Sequence, residues 1–148
     1  MKNKPTVITG TVGVDAHVIG TKIISRALRD AGIAVVELGA QTAPEEFIKA
    51  AQETDADALM MSSLYGMAEI DLQGFKEKCL EAGLEGVLLY IGGILGVSKH
   101  DFEEDEKKFK EMGFDRVYPP QADIHGAIND LLGDLAARGK LYELTANI

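Results

Sequence analysis

In the stretch GVDAHVIGTK, residues 13 to 22, His17 stands between Asp15 and Gly20 just after an apolar segment. Imidazole changes charge near neutral pH and also holds transition metals, so a histidine beside a carboxylate is a natural starting point for chemistry. Two more short groups have useful side-chain types. Ser62, Ser63 and Leu64 follow a second apolar run, and Gly92 and Gly93 follow a third. Paired glycines lack β-carbons, so backbone there can closely approach a bulky flat ligand or a long nucleotide tail. Singly, each group has a plainer reading: a loop histidine, a local serine cap, a tight turn. His100 and His125 fall in a polar loop and an early helical turn, and no role is assigned to them.

The elements that must position these groups alternate along the chain. Residues 6–12, 34–38, 58–62, 87–91 and 116–119 are short β-rich runs and predict five strands. Between them, Ile19, Ile23, Ile24, Ala27 and Leu28 are expected to share one face of a first helix, closed at Gly32. A second helix starts at Pro44, with Glu45 and Glu46 meeting the positive end of its dipole. A third runs through DLQGFKEKCLEAG and a fourth through EEDEKKFKEMG, each ending on a glycine suited to a left-handed cap. Asp123 caps a fifth helix whose Ile124, Ile128, Leu131, Leu132 and Leu135 share a face.

Five strands alternating with five helices predict an α/β, flavodoxin-like (Rossmann-like) doubly wound parallel sheet in the order 2-1-3-4-5. Each parallel pair needs a crossover, and right-handed crossovers put helices on both faces. The fold is expected as a single domain over residues 1–139, with 140–148 as a C-terminal tail. In such sheets ligands bind at the carboxyl ends of strands, beside the point where the strand order reverses between the first and third. His17 lies just past the first strand and Ser62 ends the third; Gly92 follows the fourth, and YPPQAD, residues 118–123, follows the fifth. Their joint placement around one crevice outweighs the plain reading of each.

Composition narrows the classes of partner. With 15 basic against 24 acidic side chains and a net charge of −9, a nucleic acid or an anionic membrane is excluded as the main partner. The single cysteine, Cys79, has no internal disulfide partner and reads as a small core residue of a reducing compartment. Without a signal-like start or a long apolar window, the expected location is the cytoplasm.

The motif D-x-H-x-x-G, here Asp15, His17 and Gly20, then S-x-L, here Ser62 and Leu64 with Ser63 as spacer, then Gly92-Gly93, resembles the cobalamin-binding domain shared by adenosylcobalamin mutases and methionine synthase. SSLYGMAEID, EKCLEAGL and KEMGFDRVYPP narrow the resemblance to the glutamate mutase (methylaspartate mutase) small subunits, over residues 6 to 120 or so. The resemblance implies that cobalamin binds with its own benzimidazole displaced and His17 as the lower axial ligand on cobalt. It implies Asp15 as the partner of the second ring nitrogen, an arrangement that fixes a ligating imidazole. Val14, Ala16 and Val18 complete that cofactor loop, and Gly20 leaves room for the nucleotide tail. Ser62 would donate to the buried base and Leu64 pack on it. Gly92 and Gly93, with Ile94, Leu95, Gly96, Val97 and Ser98, would line the tail, and Tyr118 and Pro119 would close the pocket.

The implied activity is that of an isomerase subunit, inactive alone, without catalytic residues of its own. It would support the adenosylcobalamin-dependent radical interconversion of L-glutamate and (2S,3S)-3-methylaspartate. The substrate would be held mainly by a larger catalytic subunit, a TIM barrel pressed on the upper face of the corrin in a hetero-oligomer, with the surface around LYGMAEID as candidate contact. The chain departs from the resemblance at Val14, Ala16, Met67, Ala68 and Gln121, where more polar or smaller residues are usual. The alternatives are a subunit of another carbon-skeleton mutase or a corrinoid methyl-transfer protein. The latter usually adds an N-terminal helical bundle, whereas five residues precede Thr6 here. A response-regulator receiver needs an aspartate and a lysine where Ser62 and Tyr118 stand, and a flavodoxin-like electron carrier needs a hydroxyl-rich phosphate loop in place of TGTVGVDAH.

Overall fold

Short runs rich in β-branched and apolar residues give five strands, and each is followed or preceded by a segment of helical period. The computed structural model describes residues 4–12, 19–63, 68–93, 102–119 and 123–139. In chain order the elements are β1 (Thr6–Thr11), α1 (Ile19–Asp30), β2 (Ala34–Glu37), α2 (Pro44–Thr54), β3 (Ala58–Ser63), α3 (Ala68–Asp71), α4 (Phe75–Glu81), β4 (Leu88–Gly93), α5 (Phe102–Glu111), β5 (Arg116–Tyr118) and α6 (Ile124–Ala137). The strands form one sheet in the order β2-β1-β3-β4-β5, every pair parallel, as expected.

Register is pinned at the strand starts by a device used twice. Asp57, just ahead of β3, accepts a hydrogen bond from the Thr6 backbone N–H at 2.9 Å and returns its own N–H to the Thr6 carbonyl at 2.8 Å. Asp115, just ahead of β5, does the same with Leu89, at 2.8 Å in both directions. Each carboxylate satisfies a strand-terminal N–H and so fixes which residues lie opposite one another.

Side chains alternate across the sheet, so the strands feed two separate cores. Ile8, Leu59, Met61, Leu89, Ile91 and Val117 pack with Phe47 of α2, Phe75 and Cys79 of α4, and Phe109 of α5. Val7, Ala58, Met60, Leu88 and Tyr90 face Leu28 of α1 and Ile128, Leu131 and Leu135 of α6. Cys79 is a core residue as expected; burial pushes its thiol up to about 11, with Lys76 opposing. Gly10 allows a close approach, because a β-carbon there would lie 2.8 Å from Cζ of the fully buried Phe47.

Two expectations change. The expected third helix is broken into α3 and α4 at Gly74, whose φ of 73° is a left-handed conformation that an α-helix cannot carry through. On α1, Ile23 is half exposed at 52%, while Thr21, Ser25 and Leu28 are buried. The buried stripe is therefore centred on hydroxyls and a leucine, and rotated away from the most apolar arc. No helix among the described residues is long and apolar enough to cross a membrane.

Candidate functional site

Parallel register places four residues in one row at the carboxyl end of the sheet. Thr11 lies opposite Ser62, Ser62 opposite Gly92, and Gly92 opposite Tyr118. Paired residues of a parallel sheet share a face, and this row continues the face covered by α1 and α6. Three of the expected site residues, Ser62, Gly92 and Tyr118, are thus brought side by side. The row begins where strand order reverses, at the adjacent strands β1 and β3. Ser63 and Gly93 pair in the next row and project to the opposite face. Gly20 lies in the first turn of α1, and Pro119 directly follows β5. Val14, Asp15, Ala16, His17, Val18, Leu64, Ile94, Leu95, Gly96, Val97 and Ser98 lie outside the described residues.

Buried hydroxyls are contributed by both β1 and α1. Thr9 and Thr11 of β1 and Thr21 and Ser25 of α1 are all buried, and Thr9 Oγ1 and Ser25 Oγ are 2.8 Å apart, within hydrogen-bond distance. Sequence reasoning missed this seam. Its signal was the two-residue spacing of the threonines on β1 and the four-residue spacing of Thr21 and Ser25, in phase with Leu28.

One wall is a fixed polar network on α6. Asp134 accepts from Arg116 Nε at 2.7 Å and Nη2 at 2.9 Å, a bidentate fork, and also from the hydroxyl of the buried Tyr90. One turn earlier, Asp130 accepts from the Tyr118 hydroxyl at 2.8 Å and pairs with Arg116 at 3.6 Å. The Tyr90 and Tyr118 rings are tilted at 56° with centroids 5.9 Å apart. The Arg116 hydrogen bonds hold the Asp134 carboxyl below the usual carboxylate range, although burial works against them. Burial first, then the hydrogen bond to the neighbouring aspartate, raises the phenols of Tyr90 and Tyr118. Both tyrosines therefore stay neutral donors at ordinary pH.

Two polar atoms, on the last residue of β3 and at the end of α3, have no partner. The Ser63 hydroxyl is fully buried without a hydrogen bond, and so is Oδ2 of Asp71 at the end of α3. Burial raises the Asp71 carboxyl. Native interiors leave few such atoms unsatisfied, so they mark places where another group is wanted. Gly92 points the same way. Its φ is not in the left-handed region, and a β-carbon there would sit 3.4 Å from Cβ and the carbonyl oxygen of Tyr118, an ordinary contact. Among the described residues, neither backbone conformation nor packing requires glycine at this position beside Ser62. A hydroxyl at Ser62, a side-chain-free position at Gly92 and an aromatic ring at Tyr118, side by side in one row, fit a flat heterocyclic base. Among the described residues no cluster of three or more histidine, cysteine or carboxylate groups could hold a metal, and His17 lies outside them.

The surface expected around LYGMAEID is described only from Ala68. There Ile70 is 62% exposed on α3, whereas Leu72 is buried.

The family model for the B12 binding domain matches residues 5–121 of the chain. The chain is 56% identical to the glutamate mutase sigma subunit of Carboxydothermus hydrogenoformans, over 86% of its own length and 93% of that protein. It is 50% identical to the glutamate mutase sigma subunit of Clostridium cochlearium, over 89% of its own length and 96% of that protein. Among solved structures it resembles the monomethylamine corrinoid protein of Methanosarcina barkeri, with a TM-score of 0.71 and 20% identity over 88% of this chain, a likeness of fold. It spans 57% of that longer chain.

Proposed function

Since this chain belongs to the B12 binding domain family, and within it to the glutamate mutase sigma subunits, we propose that it works as the cobalamin-binding small subunit of a glutamate mutase, an isomerase completed by a larger catalytic subunit. The observation that carries the reading is the row Thr11, Ser62, Gly92 and Tyr118, which sets the side-chain-free Gly92 between a hydroxyl and an aromatic residue on the α1/α6 face, beside the strand-order reversal.

In this reading His17 is the cobalt ligand and Asp15 holds its second ring nitrogen, with Val14, Ala16 and Val18 forming the loop around them. The nucleotide tail runs past Gly20 between α1 and the sheet. Ser62 donates to the base and Leu64 packs on it. Gly93, the segment from Ile94 to Ser98 and Pro119 complete the lining, and Ser63, whose side chain faces the other side of the sheet, is the spacer between Ser62 and Leu64. Bound adenosylcobalamin supplies the radical chemistry of a reversible glutamate to 3-methylaspartate rearrangement. The chain's own residues bind, orient and shield. The hydroxyl seam and the apolar core beneath it keep water from the tail, and the glycines admit it. No residue here is assigned to substrate, which is held by the partner subunit. The chain alone is therefore inactive, and association closes the site and excludes water. Residues 1–139 form the binding domain with 140–148 as a tail, and the assembly is cytoplasmic.

The test is the cob(II)alamin EPR spectrum of the protein loaded with cobalamin and grown with ¹⁵N-histidine. The expected result is superhyperfine coupling that changes with the histidine label and is lost in His17→Ala. Coupling only to the cofactor's own benzimidazole overturns the ligand assignment. Bound cobalamin with no glutamate to methylaspartate conversion, once the cognate large subunit is added, overturns the substrate.

A further inference from the structure

Tyr118 is rooted in β5 directly opposite Gly92, and the side-chain-free position there is the slot for the base in the cobalamin reading. Its Cβ and carbonyl oxygen are the atoms nearest the missing side chain of Gly92. Aromatic side chains choose among staggered χ1 wells about 120° apart, so a ring rooted there can either border the slot or occupy it. Gly92 puts no side chain of its own beside that root, so a ring turned toward it meets no β-carbon and gains contact with the sheet. Two restraints hold the ring where it is: the tilted contact with Tyr90, and the hydrogen bond from its hydroxyl to Asp130 at 2.8 Å. Asp130 is itself held in place. Carboxylates four residues apart on a helix repel, but Arg116 lies between Asp130 and Asp134, paired with the first at 3.6 Å and bonded to the second at 2.7 Å.

We propose that Asp130 is a positioning residue that keeps the slot beside Gly92 open, by holding the Tyr118 hydroxyl against α6 so that the ring forms a wall and does not fill the space. The inference rests on the cobalamin reading, and the ligand part concerned is the flat base at the end of the nucleotide tail. Asp130 touches neither cobalt nor substrate; it acts through Tyr118 and sets selectivity for corrinoids that carry a tail.

The experiment is an absorbance titration of hydroxocobalamin, which has the tail, and diaquacobinamide, which lacks it. The proteins are the full chain, Asp130→Ala, Tyr118→Phe, Tyr118→Ala and the double variant Asp130→Ala/Tyr118→Ala. Releasing the hydroxyl in Asp130→Ala or Tyr118→Phe is expected to weaken hydroxocobalamin binding at least about 10-fold, which is about 1.4 kcal/mol, and cobinamide binding by less than about 2-fold. The double variant, with no ring to fill the slot, is expected to bind hydroxocobalamin more tightly than Asp130→Ala. A role confined to stability does not give that rescue. Equal losses for both corrinoids, no loss in Tyr118→Phe, or a double variant no better than Asp130→Ala each overturn the proposal. If Asp130→Ala does not fold, Tyr118→Phe, which removes one oxygen, decides on the same criterion. An unmodified chain that binds neither corrinoid overturns the cobalamin reading itself.

Discussion

Replacing Asp134 by alanine should cost more than replacing Arg116, with which it forms an ion pair at 2.7 Å. Three hydrogen bonds end on this carboxylate, and they differ in what their loss leaves behind. The Arg116 side chain is 40% exposed, so its freed guanidinium turns to water, and the pair is worth only about 0–1 kcal/mol. Tyr90 is 1% exposed, and its hydroxyl loses its acceptor in the interior, which costs about 1–3 kcal/mol. Asp134→Ala is therefore expected to destabilise by about 1–4 kcal/mol, and Arg116→Ala by about 0–1 kcal/mol. Tyr90→Phe removes the stranded donor, so the cost of Asp134→Ala should shrink by about 1–2 kcal/mol in that background. Urea unfolding followed by circular dichroism on wild type, the two single variants and the double variant gives the coupling directly. Additive costs, within about 0.5 kcal/mol, would refute the reasoning, because the buried hydroxyl would then have no stake in Asp134.

The same carboxylate gives the acid limb of stability its sign. Its folded value lies below the ordinary 3.8, so the stability it contributes is fully present above that value and is lost as pH falls through the folded one. Asp71 acts the other way, because its folded value is raised and protonation relieves an unpaired buried oxygen. Urea midpoints measured between neutral pH and pH 2.5 or so should fall less steeply on the acid side in Asp134→Asn than in wild type; parallel curves would exclude Asp134 as a contributor. Gly10→Ala should destabilise by about 1–3 kcal/mol, since the new methyl lies 2.8 Å from the Phe47 ring in a closed core, and Phe47→Leu in the same chain should recover part of the loss in thermal unfolding.

The sheet was legible because its signal is local and repeated. Val7, Ala58, Leu88 and their odd-even neighbours are apolar on both faces, as a parallel sheet covered by two helical layers demands, and the carboxyl-end loops followed from strand order alone. The break at Gly74 was hidden because Leu72, Phe75 and Cys79 keep a helical spacing on both sides of it. On α1 an apolarity count favoured Ile23, whereas the buried face is set by what β1 offers. Thr9 gives Ser25 a partner, and so a polar residue goes inside. Asp130 and Asp134 were invisible for a different reason. Aspartates on a helix read as a solvated face, and nothing in their own segment shows that Arg116, Tyr90 and Tyr118 on the sheet lie beneath them.

Gly10 and Gly92 show how packing separates structural from functional glycines in a chain with sixteen. Both lie in strands with ordinary backbone, where glycine costs conformational entropy and gives no side chain to pack. At Gly10 the cost is offset inside the protein, because Phe47 occupies the space and the core closes around it. At Gly92 no described residue offsets it: the nearest described atoms belong to Tyr118 at 3.4 Å and would accept a β-carbon. A position that breaks a local rule without an evident internal gain is where a site is to be sought. On one side of it stands the half-buried Ser62, and on the other a tyrosine whose hydroxyl is already committed to Asp130. The slot therefore presents one hydroxyl and the flank of one ring, a combination suited to a planar base with a single buried acceptor.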